Sequence, residues 1–218
     1  MSLPVTISDL PRVSATELSE VLLAQSSSNL DFTPPDEKKD GVAVVDVRDD
    51  DHIGGHIRSS LHVPSSTHSH ALPSLVHRLR SKPVVVFHCA LSQQRGPKAA
   101  LQYIRERQRL VGTESVELAK GSGFVQNAMK KDKAEEIERS ENTATVKKNV
   151  QRGEYGWEDV PREEGLPVVD GEGEMAEDGP QKVFILEQGF VGWQEQFGED
   201  VRLTEGYRKE LWKDGYWM

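Results

Sequence analysis

The chain has a single cysteine, Cys89, in 218 residues. An internal disulfide and a multi-cysteine metal site are therefore excluded. Aromatic residues are scarce at 6%, and apolar residues make up 36% against 29% charged. That apolar share is low for a chain folded from end to end, so a solvated segment is expected somewhere. Long hydrophobic runs are missing too, and none approaches the roughly 20 residues needed to span a bilayer. Positive charge is in deficit, with a formal net charge of −9. This argues against nucleic acid or an anionic membrane as the main partner. The start, Met1-Ser2-Leu3-Pro4, lacks the basic and apolar regions of a secretory signal, so the expected location is the cytoplasm or nucleus.

What is present is an alternation of short apolar runs and amphipathic segments. Ser14-Ala15-Thr16-Glu17 has the capping-box pattern, followed by Leu18, Val21 and Leu22 at helical spacing, which predicts a helix over 14–25. Ser26 to Lys39, with Pro34-Pro35, reads as a loop. The run Val42 to Val47 reads as a buried strand, Leu61-His62-Val63 as a second short one, and Val84 to Phe87 as the strongest. Leu72, Leu75, Val76 and Leu79 share one helical face, and a further helix is expected from Pro97 to Arg109. Val183 to Leu186 is another strand, Val191 to Phe197 a short helix, and Glu205 to Trp212 a last helix. Solidly apolar strands alternating with helices predict an α/β fold, a parallel sheet covered by helices on both faces.

The segment 111–182 carries 17 acidic and 10 basic residues, so most of the net negative charge lies there. Its stretch from Gly171 to Pro180 has too little apolar surface to fold alone. The expectation is a folded unit of 1–110 joined to 183–218, with 111–182 a largely disordered acidic insertion that has room for a protein partner.

The chemistry concentrates in Val84-Val85-Val86-Phe87-His88-Cys89-Ala90-Leu91-Ser92-Gln93-Gln94-Arg95-Gly96-Pro97. A buried strand ends at a cysteine, a polar loop follows, and an arginine stands six residues on, where a helix starts. Backbone N–H groups of such a loop can curl around an oxyanion, and the helix N-terminus adds positive potential. Ala90, Leu91, Ser92, Gln93 and Gln94 would form the cradle, and Arg95 can fork onto two oxygens of a tetrahedral anion. The same field favours the thiolate of Cys89, a nucleophile aimed at the bound group. Ser92 could donate to the sulfur, while His88 and Asp46 are expected to support the loop. Asp46 could accept loop N–H groups or simply pair with Arg48. Asp49-Asp50-Asp51-His52 reads as a solvated face rather than a metal patch, and His68 with His70 is a weak zinc pattern. No metal or cofactor is expected.

The His-Cys-x5-Arg-Gly-Pro run, His88 to Pro97, resembles the active-site loop of the cell-division-cycle-25-type phosphatases and the related arsenate reductases, which have the rhodanese-like fold. Asp46-Val47-Arg48, Gly54-Gly55-His56-Ile57-Arg58 with Leu61-His62-Val63-Pro64, and Gln188-Gly189-Phe190-Val191-Gly192-Trp193 resemble further markers of that family. The matches cover about 41–105 and 183–198. The resemblance implies a phosphorylated protein or a small phosphate or arsenate oxyanion as substrate, with Cys89 and Arg95 as catalytic residues. It implies glutathione as co-substrate should the reaction be arsenate reduction. Sulfurtransferases of this fold have a loop one residue shorter, and the seven positions from Cys89 to Arg95 favour the larger oxyanion. Ala90 stands where the larger cell-cycle phosphatases have an acidic residue, which leaves the proton donor to the leaving group unassigned.

Overall fold

The computed structural model describes residues 5–27, 41–118, 124 and 180–213. The strands are β1 (Arg12–Val13), β2 (Val42–Asp46), β3 (His56–Ile57), β4 (Leu61–His62), β5 (Val84–His88), β6 (Val116–Glu117), β7 (Gln181–Leu186) and β8 (Thr204–Glu205). The helices are α1 (Ala15–Ser27), α2 (His68–Arg78), α3 (Arg95–Val111) and α4 (Gly189–Phe197). The main sheet has the order β1-β7-β5-β2-β4, with β6 also on β7, and all its pairs are parallel.

Strand alternation splits the core into two layers. Ala43, Val45, Val85, Phe87, Val183 and Ile185 face Leu72, Leu75 and Val76 of α2 and Ala99, Ala100, Tyr103 and Ile104 of α3. Val42, Val44, Val84, Val86, Phe184 and Leu186 face Ala15, Leu18 and Val21 of α1 and Phe190 and Trp193 of α4. Both faces of the parallel sheet are thus covered, as the unbroken apolar strands require. Each large side chain buried this way contributes about 1.5–3 kcal/mol. The capping box forms as expected: Ser14 N–H donates to Glu17 Oε2 at 3.0 Å, and Glu17 N–H donates to Ser14 Oγ at 3.2 Å.

Three features differ from the sequence expectation. The C-terminal helix over 205–212 is instead a strand, β8, antiparallel to β3, followed by one 3-10 turn at Lys209–Trp212. Gly206 sits between them at φ 65, a left-handed conformation that breaks a helix and suits glycine. The folded unit also reaches beyond 1–110 and 183–218. Val116–Glu117 joins the sheet, and Gln181 is buried, donating to the carbonyls of Leu79 and Lys82. Phe124 is likewise buried, edge-on against Phe184 at 5.0 Å. A two-residue strand and one aromatic are too brief to stand out from an acidic background. The rest of the expected insertion, 119–123 and 125–179, and the expected loop over 28–40 lie outside the described residues. Finally, α3 begins at Arg95, two residues before Pro97. Pro97 falls in the first turn, where its missing N–H has no helical partner to lose.

The chain passes from β2 to β4 on one side and then crosses to β5 on the other. The carboxyl ends of β2 and β5 therefore flank a topological switch point, the place where open α/β sheets bind ligands.

Candidate functional site

Register brings two loops together at that point. Asp46, the last residue of β2, pairs with His88, the last of β5. Cys89 follows His88 directly, and Asp49 and Asp51 follow β2.

The loop 89–95 is held from outside by α4. The N–H groups of Phe190 and Val191 donate to the carbonyls of Cys89 and Ala90 at 2.9 and 3.0 Å. In a trans peptide the next N–H points opposite to the carbonyl. The amides of Ala90 and Leu91 are thereby turned away from α4. This approach needs Gly189, at φ 58, where a Cβ would stand 2.4 Å from the Cys89 carbonyl oxygen. The next amide is also committed: Ser92 N–H donates to Cys89 Sγ at 3.2 Å. Ser92 itself is left-handed at φ 53, an uncommon conformation for a side-chain-bearing residue and a frequent one at functional loops.

The cysteine is 3% exposed, at the bottom of the loop. Ala90 and Ser92 are buried, whereas Leu91, Gln93 and Gln94 are exposed on the rim. It is the amide of Ser92, not its hydroxyl, that reaches the sulfur. The Ser92 Oγ is buried without a hydrogen-bond partner among the described residues.

Arg95 opens α3, with its side chain 32% exposed. Its terminal nitrogens are held by carboxylates: Nη1 donates to Asp51 Oδ1 at 2.7 Å and Nη2 to Asp51 Oδ2 at 2.5 Å, with Nη1 also 3.3 Å from Asp49 Oδ2. Asp51 raises the guanidinium's pKa further above its ordinary value. Asp49 in turn accepts from Ser66 N–H at 2.9 Å and from the Ser65 hydroxyl. Asp49 and Asp51 are thus not the solvated face the sequence suggested. The available signal was their place just after β2, beside β5, but only the strand order makes those ends neighbours.

Asp46 pairs with Arg48 instead of accepting loop amides. Arg48 Nε and Nη2 donate to Asp46 Oδ2 at 2.9 and 2.7 Å, and both side chains are fully buried. Arg48 Nη2 also donates to the Gly55 carbonyl at 2.9 Å, and its Cζ lies 4.1 Å from the centre of the Phe190 ring. Burial pushes the Asp46 carboxyl up, but His88 and Arg48 more than offset it and hold it below the usual carboxylate range. His88 is buried with its Nε2 3.8 Å from Asp46, and burial lowers its pKa despite that carboxylate. Arg48, a permanent cation with two nitrogens on the carboxylate, is the direct counter-charge of Asp46. Asp46 and His88 therefore support the loop indirectly, by fixing the ends of the two strands that carry it.

Among the described residues no group of three or more His, Cys, Asp or Glu is arranged to hold a metal ion. His68 lies against Phe87, with Nδ1 3.3 Å from Gln102 Oε1. Among the described residues no helix is long and apolar enough to cross a membrane.

A parallel sheet with a cysteine loop at its switch point, closed by the N-terminus of the following helix, is the arrangement expected of the rhodanese-like domain that the sequence resembles. A family profile for the rhodanese-like domain matches residues 35–124. The dual specificity phosphatase Cdc25 of Arabidopsis thaliana is 34% identical over 107 residues, 46% of this chain and 73% of that protein. The CDC25-like phosphatase YCH1 of Saccharomyces cerevisiae is 26% identical over 180 residues, 78% of this chain and 77% of the relative. Arsenate reductase 2.2 of Oryza sativa subsp. japonica is 45% identical over 64 residues, 29% of this chain and 49% of that protein. The solved structure of yeast Ygr203w, described as a homolog of single-domain rhodanese and the Cdc25 phosphatase catalytic domain, superposes with a TM-score of 0.53 at 23% identity, over 97% of both chains. That likeness concerns the fold. The chain belongs to the rhodanese-like family and has proteins named Cdc25-type phosphatases and arsenate reductases among its relatives.

Proposed function

We propose that this protein is a cysteine-dependent phosphatase acting on phosphotyrosine or similar monoesters through a phosphocysteine intermediate. The observation that carries the reading is the strand-end sulfur of Cys89, facing the Ser92 amide at 3.2 Å within a seven-position loop that runs into α3 at Arg95. The Cys89 thiolate attacks phosphorus, the bond to the ester oxygen breaks, and that oxygen leaves with the proton carried in by the phosphate monoanion. Amides of the loop and Arg95 hold the three equatorial oxygens, the largest electrostatic contribution in such reactions. Water then attacks phosphorus, releasing phosphate and restoring the thiol.

The likeness to plant arsenate reductases supports a second reading, arsenate reduction with the same residues. With one cysteine in the chain, the electrons would come from an external thiol such as glutathione, which ends as a disulfide. Thiosulfate sulfurtransfer is disfavoured by the loop length. The acidic segment is proposed to bind a protein partner, and the cytoplasm or nucleus is the proposed location.

The test is a side-by-side assay of aryl phosphate, arsenate with glutathione, and thiosulfate, with wild type and Cys89→Ser. Turnover of aryl phosphate is expected, falling by at least about 10³-fold in Cys89→Ser. Undiminished turnover in that variant refutes the mechanism, and arsenate consumption without phosphate release selects the second reading.

A further inference from the structure

A guanidinium has five N–H donors on three nitrogens, arranged as two parallel forks on adjacent edges of one plane. In Arg95 one fork is closed. The Asp51 carboxylate spans Nη1 and Nη2 at 2.7 and 2.5 Å, and the remaining Nη1 donor leans to Asp49 at 3.3 Å. The other fork, Nε–H with the second proton of Nη2, has no partner among the described residues. It has the spacing for two oxygens of a tetrahedral anion.

Asp51 is itself anchored. It is 8% exposed, its Oδ1 accepts the Asp49 N–H at 2.9 Å, and its backbone carbonyl lies 3.5 Å from Nη1 of the buried Arg48. A carboxylate tied to the core thus grips a longer, partly exposed side chain by the edge that a substrate does not need.

We propose that Asp51 is a positioning residue: it locks Arg95 through the Nη1/Nη2 edge so that the Nε/Nη2 edge is presented to the oxyanion bound over Cys89. The proposal rests on the oxyanion reading of the site, though not on which oxyanion reaction follows. An arginine free to swing must be ordered each time substrate binds, and misplacement of such a group by about 1 Å can cost on the order of 10²-fold in rate. The opposing role is a competitor, an internal anion that substrate must displace. The two roles give opposite signs, because removing a competitor tightens anion binding.

The experiment combines aryl phosphate kinetics with calorimetric binding of tungstate, a tetrahedral dianion. Both are run on wild type, Asp51→Asn, Asp51→Glu, Arg95→Ala and the Asp51→Asn/Arg95→Ala double variant, with thermal unfolding to confirm folding. Asp51→Asn is expected to lower kcat/KM by about 10- to 100-fold and to weaken tungstate binding. Asp51→Glu keeps the charge but moves the carboxylate by one methylene, and is expected to lose activity as well. In the Arg95→Ala background, Asp51→Asn should leave tungstate binding unchanged or tighten it, since only the negative charge is then removed. Tighter tungstate binding by Asp51→Asn alone overturns the proposal, as does an equal loss in both backgrounds. Tungstate binding without phosphatase turnover removes the phosphatase reading and leaves the role of Asp51 decided by the binding series. A wild type that binds no tungstate overturns both.

Discussion

Arg48 forks onto Asp46, the last residue of β2, and Arg95 onto Asp51 in the loop that follows, and the two pairs are built for different ends. Arg48 is sealed: its side chain and that of Asp46 are fully buried, and its donors go to Asp46, the Gly55 carbonyl and the Asp51 carbonyl, with Phe190 against its face. Arg95 is partly exposed and keeps one edge open beside the cysteine loop. A guanidinium sealed from solvent can only hold structure, whereas one with an exposed spare edge can still bind. The pairs are also linked, because Asp51 gives its carboxylate to Arg95 and its carbonyl to Arg48.

The sharpest way to break this contrast is to remove each arginine in turn. Arg48→Ala leaves Asp46 buried without its counter-charge, and should destabilise the fold by about 3–5 kcal/mol. Arg95→Ala removes a partly exposed guanidinium but leaves the nearly buried Asp51 carboxylate, and should cost less, about 1–3 kcal/mol, while abolishing turnover. Urea unfolding of both variants measures the difference. Equal losses of stability would erase the distinction.

A smaller effect probes the opposite side of the loop. Gly189→Ala forces a Cβ against the carbonyls of Cys89 and Ala90 and places alanine at a left-handed position. A loss of about 1–3 kcal/mol is expected. Turnover should fall further than stability alone explains, because α4 orients the loop amides. Chemical denaturation with kinetics under fully folded conditions checks both.

The smallest effect is a pH dependence. Burial is the chief cause that pushes His52 down from 6.5 to about 4, and it also lowers His68 and His88. The His52 ring stays neutral in the folded chain down to about 4, while the unfolded chain takes up that proton below 6.5. Stability is therefore full above that pH and falls as the solution is acidified towards 4. His52, stacked on His62 at a ring separation of 3.8 Å, is the place to test it. His52→Gln should flatten the slope of unfolding free energy between neutral pH and about 4, and an unchanged slope would remove His52 as a contributor.

Much of this was legible from local pattern. The apolar runs at 42–47, 84–87 and 183–186 became three adjacent strands, because a strand buried on both faces is apolar throughout. The Ser14–Glu17 cap formed because it involves only neighbours in sequence. The cysteine loop was visible because strand, loop and helix start are contiguous. The two-residue strands β1, β3, β6 and β8 were not visible, since their stability comes from partners far away in the chain. Asp51 was missed for a related reason: an aspartate among three looks solvated until a basic partner 44 positions away is brought to it.

By itself the sequence determined the apolar strands, the helices between them and a cysteine placed just past a strand end, since each follows from spacing along the chain. Tertiary structure alone decided which arginine is sealed and which stays open. That choice depends on strand order and register, which set the ends of β2 and β5 side by side and so bring charges together that are distant in sequence.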